Sequence, residues 1–176
     1  MKHFIVFSLS LLLFSCASVT RYEPKNNSDS LIIGKIKMDN KNFNTYGSIS
    51  VNGVHTANIE ISISNMTSGE ILKTKTDKEG FFMFYNLDPS DNYQITKIYL
   101  KKEENNSWAD VYMNTSNSNI FSPTINSITD IGFYYVKTDK INNIWNFNKI
   151  DNSVFNDFII KYKDTEWVNK NIIVNN

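Results

Sequence analysis

The sequence predicts a mainly β protein, an antiparallel β-sandwich followed by a short C-terminal helix and tail. Residues 59–63 alternate strictly between isoleucine and polar residues, which is the pattern of a strand with one buried face. Residues 81–85 are an aromatic run that directly follows a polar turn ending in glycine. Clusters of turn-forming residues recur at roughly 8–12-residue spacing between positions 31 and 100, as they do between the short strands of sandwiches.

Length and composition bound the rest of the interpretation. The chain has 176 residues, 41% of them hydrophobic and 14% aromatic, which suits one packed domain and excludes a disordered tail. There are 18 basic and 18 acidic residues, so the net charge of zero offers no general attraction to nucleic acid. The single cysteine excludes a disulfide framework and a multi-thiolate metal site.

The N-terminus has the order of a secretory signal peptide. Lys2 and His3 precede the apolar run 4–14, and small residues follow that run. A helix needs roughly 20 apolar residues to span a bilayer, and this run has about half that number. Residues 1–15 are therefore predicted to be an export signal and not a membrane helix.

The only cysteine, Cys16, lies just after this run. Leu13, Ser15 and Cys16 resemble the lipobox of bacterial lipoproteins. The resemblance implies cleavage before Cys16, diacylation of its thiol and acylation of the new amino terminus, which together would anchor the mature chain in a membrane. Ala17 in place of aspartate implies sorting to the outer membrane or the cell surface. The alternative is an ordinary secretory signal with a cysteine near its cleavage site.

Residues 16–30 are polar, with one proline and no apolar period, and they predict a lipidated tether. The sandwich domain is assigned to residues 31–137. Its expected strands are 31–38, 58–64, 71–76, 81–85, 93–100, 108–113 and 128–136. Lys35 and Lys37 alternate with apolar residues in the first strand, so both are expected to face solvent.

Part of this region resembles a known family. The residues that carry the resemblance are 57–61, Gly69, 74–84 (Thr-Lys-Thr-Asp-Lys-Glu-Gly-Phe-Phe-Met-Phe), Leu87 and Tyr93. They resemble the carboxypeptidase regulatory-like or prealbumin-like domains, over residues 31–100. The resemblance implies a seven-stranded transthyretin-type β-sandwich with an accessory role, beside catalytic or transport modules or as a surface stalk. A fold alone does not establish a function.

The aromatic strand has a second apolar face, formed by Phe81, Met83 and Tyr85, that needs cover. Residues 138–176 are assigned to this task. Asp151 or Ser153 is expected to cap a helix with one apolar stripe. The stripe consists of Val154, Phe155, Phe158, Ile159 and Tyr162. This helix and the apolar tail behind it are expected to pack on the sandwich.

No residue set predicts catalysis, a cofactor or a metal centre. His55 is the only histidine that remains after signal removal, and no G-x-S-x-G motif accompanies it. Calcium stays open as an alternative because four acidic residues lie in adjacent turns, namely Asp77, Glu79, Asp88 and Asp91. A sugar-stacking surface is the alternative to a core position for Trp108, Tyr112, Tyr134, Tyr135, Trp145 and Trp167.

The resulting hypothesis is a lipid-anchored, non-catalytic protein of the bacterial cell envelope, at the outer membrane or cell surface. Its expected partners are membrane lipid, through acylated Cys16, and an unidentified envelope protein or glycan, but not nucleic acid. A carbohydrate-binding module of the same fold is the alternative. An envelope enzyme is a third hypothesis, and it would require a concave pocket containing His55 or two acids with raised pKa.

Overall fold

The computed structural model of the chain describes residues 23–24, 29–39, 50–51, 54–101, 108–112, 120–139 and 144–175. The predicted signal peptide, Cys16 and most of the predicted tether lie outside these residues. No helix in the described ranges is both long enough and apolar enough to cross a bilayer.

The described elements are mostly strands. In chain order they are β1 (Leu31–Asp39), β2 (Ser50–Val51), β3 (Val54–His55), β4 (Glu60–Asn65), β5 (Ile71–Lys75), β6 (Phe81–Tyr85), β7 (Tyr93–Lys101), β8 (Trp108–Tyr112), β9 (Ile120–Phe121), β10 (Ser127–Asp139), β11 (Ile144–Asp151), helix α1 (Phe155–Lys161), a 3₁₀ turn (Glu166–Asn169) and β12 (Asn171–Val174). Each predicted strand is present, with ends shifted by at most three residues. The strands β2, β3, β9, β11 and β12 were not predicted.

The strands form two sheets, so the prediction of a mainly β, two-layered architecture is confirmed. The larger sheet has seven strands in the order β11-β10-β1-β3-β2, with β6 also paired to β1 and β12 to β10. The smaller sheet has five strands in the order β5-β4-β7-β8, with β9 also paired to β7. A sandwich of seven strands in total is not confirmed. Antiparallel pairing throughout is wrong, because β1 and β12 both run parallel to β10.

A continuous apolar core lies between the sheets. The isoleucines predicted to face inward, Ile59, Ile61 and Ile63, are completely buried. They share this core with side chains from the larger sheet, among them Ile32, Phe82, Phe84, Tyr134 and Val136. The alternating isoleucines therefore lie in the core as predicted, because every second side chain of a strand points to the same face.

A second apolar cluster covers the outer face of the larger sheet. It joins Leu31, Ile33, Phe81 and Ile128 to Val154, Phe158 and Trp167, with Met83 and Tyr85 packed against it. The ring of Phe158 stacks on Tyr162 at 4.7 Å between centroids. Helix α1 and the 3₁₀ turn thus lie on the aromatic face of β6.

The start of α1 agrees with the prediction only in part. The N-cap residue is Val154, which has no side-chain cap hydrogen bond, but the predicted Ser153 contributes from one residue earlier, since its hydroxyl oxygen accepts the Phe155 N–H at 3.3 Å. The buried carboxylate of Asp130 accepts a further 2.8 Å hydrogen bond, from the Val154 N–H. A distant strand therefore satisfies a donor at the helix start, which local sequence cannot reveal.

Asp130 also organises the strand that carries it. Its Oδ1 accepts the Gly132 N–H at 2.9 Å, and its Oδ2 accepts the Ser153 hydroxyl at 2.8 Å. Gly132 has φ +94°, and a β-carbon there would lie 2.5 Å from the Asp151 carbonyl oxygen. This carboxylate is fully buried, and it is tolerated because donors surround it.

Lys35 corrects another expectation. Only 13% of its side chain is exposed, and its Nζ lies 2.7 Å from Asp157 Oδ2 on α1. The same Nζ lies 4.6 Å from the ring centroid of Phe81. Lys35 does not face solvent, because α1 covers the side of the strand to which it points.

The stacked sheets leave two open sides. One side carries β5 of the smaller sheet and β6 of the larger sheet, which follow each other along the chain and which we call the groove edge. The other side carries β9 and β12, where the Asn175 side-chain amide donates to the Ile120 carbonyl oxygen at 3.4 Å.

Candidate functional site

The groove edge is a hairpin that divides between the two sheets. At its tip, the Asp77 N–H donates to the Phe81 carbonyl oxygen at 2.9 Å, and the Phe81 N–H donates to Asp77 Oδ1 at 3.0 Å. Gly80 makes this turn possible with φ +91°, and a β-carbon there would lie 2.3 Å from the Ile36 carbonyl oxygen. Beyond the tip, β5 pairs with β4 while β6 pairs with β1, so the two strands part.

A groove of about 520 Å³ fills the space between them. Its walls combine side chains of β5 with side chains from both faces of β6 and the residue that follows the helix, and they include Leu72, Thr74, Met83, Phe84, Leu87 and Tyr162. A second depression of about 430 Å³ continues it past Leu72, Tyr85 and Leu87 toward Asp88 and Asp91. The groove thus has an apolar floor, lysines along β5 and acidic residues in the second depression.

Strand β5 leaves backbone groups facing this side of the domain. The Asn65 N–H donates to the Glu70 carbonyl oxygen and the Thr76 N–H to the Ile59 carbonyl oxygen, which sets the ladder with β4. Because antiparallel residues alternate, the N–H and C=O groups of Ile71, Lys73 and Lys75 point away from β4. Among the described strands, none pairs with that edge of β5.

The groove is acidic beyond the end of β6. Hydrogen bonds from the hydroxyl and N–H of Ser90 to Asp88 Oδ1, at 2.7 and 2.9 Å, hold the pKa of Asp88 below its ordinary value. Asp91 Oδ2 accepts the Asn65 side-chain amide at 2.6 Å. Burial raises the pKa of Tyr93, whose hydroxyl oxygen accepts the Asp88 N–H at 3.1 Å. This end therefore keeps negative charge at neutral pH.

Helix α1 clamps the hairpin tip. Lys161 Nζ lies 2.7 Å from Asp77 Oδ2 and 3.2 Å from Glu79 Oε2. The Tyr162 hydroxyl donates to Asp77 Oδ2 at 3.0 Å. These contacts fix the depth of the groove, because they hold the cover helix to the turn that joins its two walls.

The acidic residues considered for calcium do not come together. Asp77 and Glu79 lie at the hairpin tip, whereas Asp88 and Asp91 lie beyond the other end of β6, a strand whose five residues span roughly 17 Å. Within the described ranges, no group of three or more His, Cys, Asp or Glu side chains is placed to hold a metal ion.

The other sequence candidates are scattered. His55 lies in β3 opposite Met38, away from the groove-lining residues. Trp167 and Tyr134 are each 2% exposed and belong to the two apolar cores, so they do not offer a sugar-stacking surface. Cys16 and the side chains of Trp108, Tyr112 and Trp145 lie outside the described part of the chain.

Sequence reasoning did not find the groove. The available signal was the pair of lysines, Lys73 and Lys75, on either side of Thr74. Lysines at alternate positions of a strand are typical of an edge strand. Nothing local indicated that its hairpin partner would join the other sheet. No family model, curated protein or solved structure matches the chain.

Proposed function

We propose that this chain is a lipid-anchored, non-catalytic protein of the bacterial cell envelope whose β domain binds a partner in the groove between β5 and β6. The observation that carries the proposal is the edge of β5, which no other described strand covers, beside a groove with an apolar floor. Extended peptides bind such edges through main-chain hydrogen bonds, while pockets select alternate side chains.

The charges of the groove favour one class of partner segment. Lys73 and Lys75 are exposed along β5, and Glu70, Asp88 and Asp91 surround the opposite end. The expected segment is an extended strand with apolar residues facing Leu72 and Phe84. It carries acidic residues beside the two lysines and a basic residue toward Asp88.

The proposed fold family is the transthyretin-type sandwich of seven strands, with the remaining strands as additions. Local geometry at the motif supports it. Thr76 Oγ1 accepts the Ile59 N–H at 2.9 Å and donates to the Thr56 carbonyl oxygen, which ties the motif to β4. Asp77 and Gly80 then form the tight turn expected of Thr-Asp-x-x-Gly.

Anchoring through Cys16 rests on the lipobox resemblance at residues 13–16. Two or three acyl chains at this position would hold the mature chain at the membrane permanently, since a single chain binds only reversibly. A binding module fixed at a membrane needs only modest affinity for an envelope partner, because both are confined to the same layer.

The test uses a photo-crosslinking residue in intact cells, at Thr74 in the groove wall and, as a matched control, at exposed Asn156 on α1. We expect Thr74 to capture a discrete envelope protein in the membrane fraction. Lys73→Pro removes an outward N–H without touching the ladder to β4, so it should abolish that capture while thermal unfolding stays within a few degrees.

Cys16→Ser in the same cells tests the anchor. We expect this variant to lose fatty-acid labelling and to leave the membrane fraction. Membrane association that persists in Cys16→Ser would contradict the anchoring proposal. Equal capture from Thr74 and Asn156, or capture that survives Lys73→Pro, would contradict the groove as the binding site.

A further inference from the structure

The side of the domain opposite the groove edge exposes an unusual number of aliphatic side chains. We call it the aliphatic edge, and it consists of Ile120 (50% exposed), Ile125 (55%), Ile172 (40%), Ile173 (39%) and Val174 (39%). A single exposed aliphatic residue is ordinary, but a contiguous set on one side marks a contact surface.

Contacts within the structure hold these residues together. Strand β12 pairs with β10 in the register Ser127 to Asn171, which sets Ile125 beside the start of β12. The Lys170 ammonium donates to the Asn126 side-chain oxygen at the same place. At the other end of β12, the Asn175 amide reaches the Ile120 carbonyl oxygen.

The aliphatic edge also lacks the protection that edge strands usually have. All four residues of β12 are exposed, and none is charged. On β5, by contrast, Lys73 and Lys75 discourage pairing with any strand that lacks acidic residues beside them. An apolar, uncharged edge strand left in water would favour aggregation, so a surface that covers it is expected.

The path of the tether indicates what that surface is. Glu23 Oε2 accepts the Glu166 N–H at 2.8 Å, and the Asp29 carbonyl oxygen accepts the Asn126 N–H at 3.1 Å. The chain therefore reaches the domain beside the 3₁₀ turn that leads into β12, and beside the turn that carries Ile125.

Chain length then limits how far this region can be from a lipid surface. Glu23 lies seven positions after Cys16, and this segment spans at most about 25 Å when fully extended. A compact domain of residues 31–176 has a radius of gyration of about 15 Å, and so is about 40 Å across. Because this segment is shorter than the domain is wide, the side of the domain that it contacts must stay close to the bilayer.

We propose that the aliphatic edge is a membrane-contact surface, which rests on the lipid interface and orients the anchored domain. This inference depends on the proposed acylation of Cys16. With the aliphatic edge at the bilayer, the groove edge on the opposite side of the two sheets faces away from the lipid and stays open to a partner. Isoleucine and valine are suited to the boundary between headgroups and acyl chains, where burial of their side chains is favourable.

The test uses the fact that Cys16 is the only cysteine. In the acylated chain, Ile173→Cys introduces the only free thiol. Ile71→Cys, at a residue of β5 that is 60% exposed, is the matched control on the groove edge. Both variants are expressed as full chains. The rate of labelling by a membrane-impermeant maleimide is measured in native membranes, prepared so that the reagent reaches the membrane face that carries the protein. The rate is measured again after detergent extraction.

We expect detergent to raise the labelling rate of Ile173→Cys at least tenfold and to leave that of Ile71→Cys within twofold. Equal rates for Ile173→Cys before and after extraction, in a chain that remains in the membrane fraction, would overturn the membrane contact alone. If Ile173→Cys instead forms a disulfide-linked dimer, and its slow labelling persists in detergent, the aliphatic edge would be assigned to contact with a second copy of the chain. A wild-type chain that is not acylated and not membrane-bound would overturn both this inference and the proposed anchor.

Discussion

The two open sides of the domain expose different kinds of side chain. The groove edge places lysines on its outer strand and opens onto core side chains behind them. The aliphatic edge carries no charge on β12, and it exposes Ile172, Ile173 and Val174 directly. Strands at opposite edges of two stacked sheets can therefore be suited to different contacts, one to a segment of chain and one to a broad apolar surface.

Different contacts also hold the two edges in place. The groove edge depends on exposed or half-exposed charges, with Lys161 bridging Asp77 and Glu79. Beside the aliphatic edge, β10 pairs with β12 and carries the buried carboxylate of Asp130, which accepts hydrogen bonds from the start of α1. The backbone carbonyl oxygen of Asp130 accepts the Asn175 N–H at 2.9 Å. Buried polar groups are costly to disturb, so the two sides are expected to respond very differently to substitution.

The largest expected effect is in β10, the strand beside the aliphatic edge. Asp130→Ala leaves the donors of Gly132, Ser153 and Val154 without their acceptor, and we expect the free energy of unfolding to fall by about 3–5 kcal/mol. Chemical denaturation measures it. Asp151→Ala is the control, because exposed Asp151 accepts only the Ser153 N–H in this region, and it should cost less than about 1 kcal/mol. Similar losses for the two variants would contradict the role given to Asp130.

A smaller effect is expected at the groove edge. Lys161→Met keeps most of the apolar stem but removes the charge that bridges Asp77 and Glu79, and should lower the free energy of unfolding by about 1 kcal/mol. Lys73→Met is the control, because Lys73 is 59% exposed and meets only Glu60, at 3.2 Å. Its effect should be near zero by the same denaturation measurement. A Lys161 effect no larger than the Lys73 effect would show that the clamp does not stabilise the turn.

The smallest expected effect is on the pH dependence of stability at alkaline pH, where Lys149 and Tyr93 act in opposite directions. Burial lowers the pKa of Lys149 against the opposing attraction of Asp130, so the unfolded chain binds more protons there and stability rises with pH toward 10.5. Burial raises the pKa of Tyr93, so the unfolded chain loses that proton first and stability falls as pH rises above 10.0.

Two variants separate these contributions. Relative to Lys149→Met, the wild type should gain stability as pH rises through the interval below 10.5. Relative to Tyr93→Phe, it should lose stability above pH 10.0. Denaturation at a series of alkaline pH values checks both signs. Parallel pH profiles for wild type and variant would mean that the corresponding group does not titrate differently on folding.

Much of the domain follows from local sequence. Strict alternation at residues 59–63 predicted both the strand and its buried face, because side chains of a strand alternate between its two sides. The turn at residues 77–80 and the aromatic strand behind it were predicted for equally local reasons. The predictions for residues 1–16 also rest on local order, and they lie outside the described part of the chain.

Tertiary structure decided the rest, since partner choice between strands depends on residues far apart in the chain. Leu31 lies opposite Ile128 in a parallel pair that no nearby residue encodes. The same long-range packing buries Lys35, satisfies the start of α1 from Asp130 and sends β5 and β6 into different sheets. Sequence alone therefore determined seven of the twelve described strands and the buried face of β4. Only the three-dimensional arrangement decided which edges stay open, because an edge is defined by the neighbour that a strand lacks.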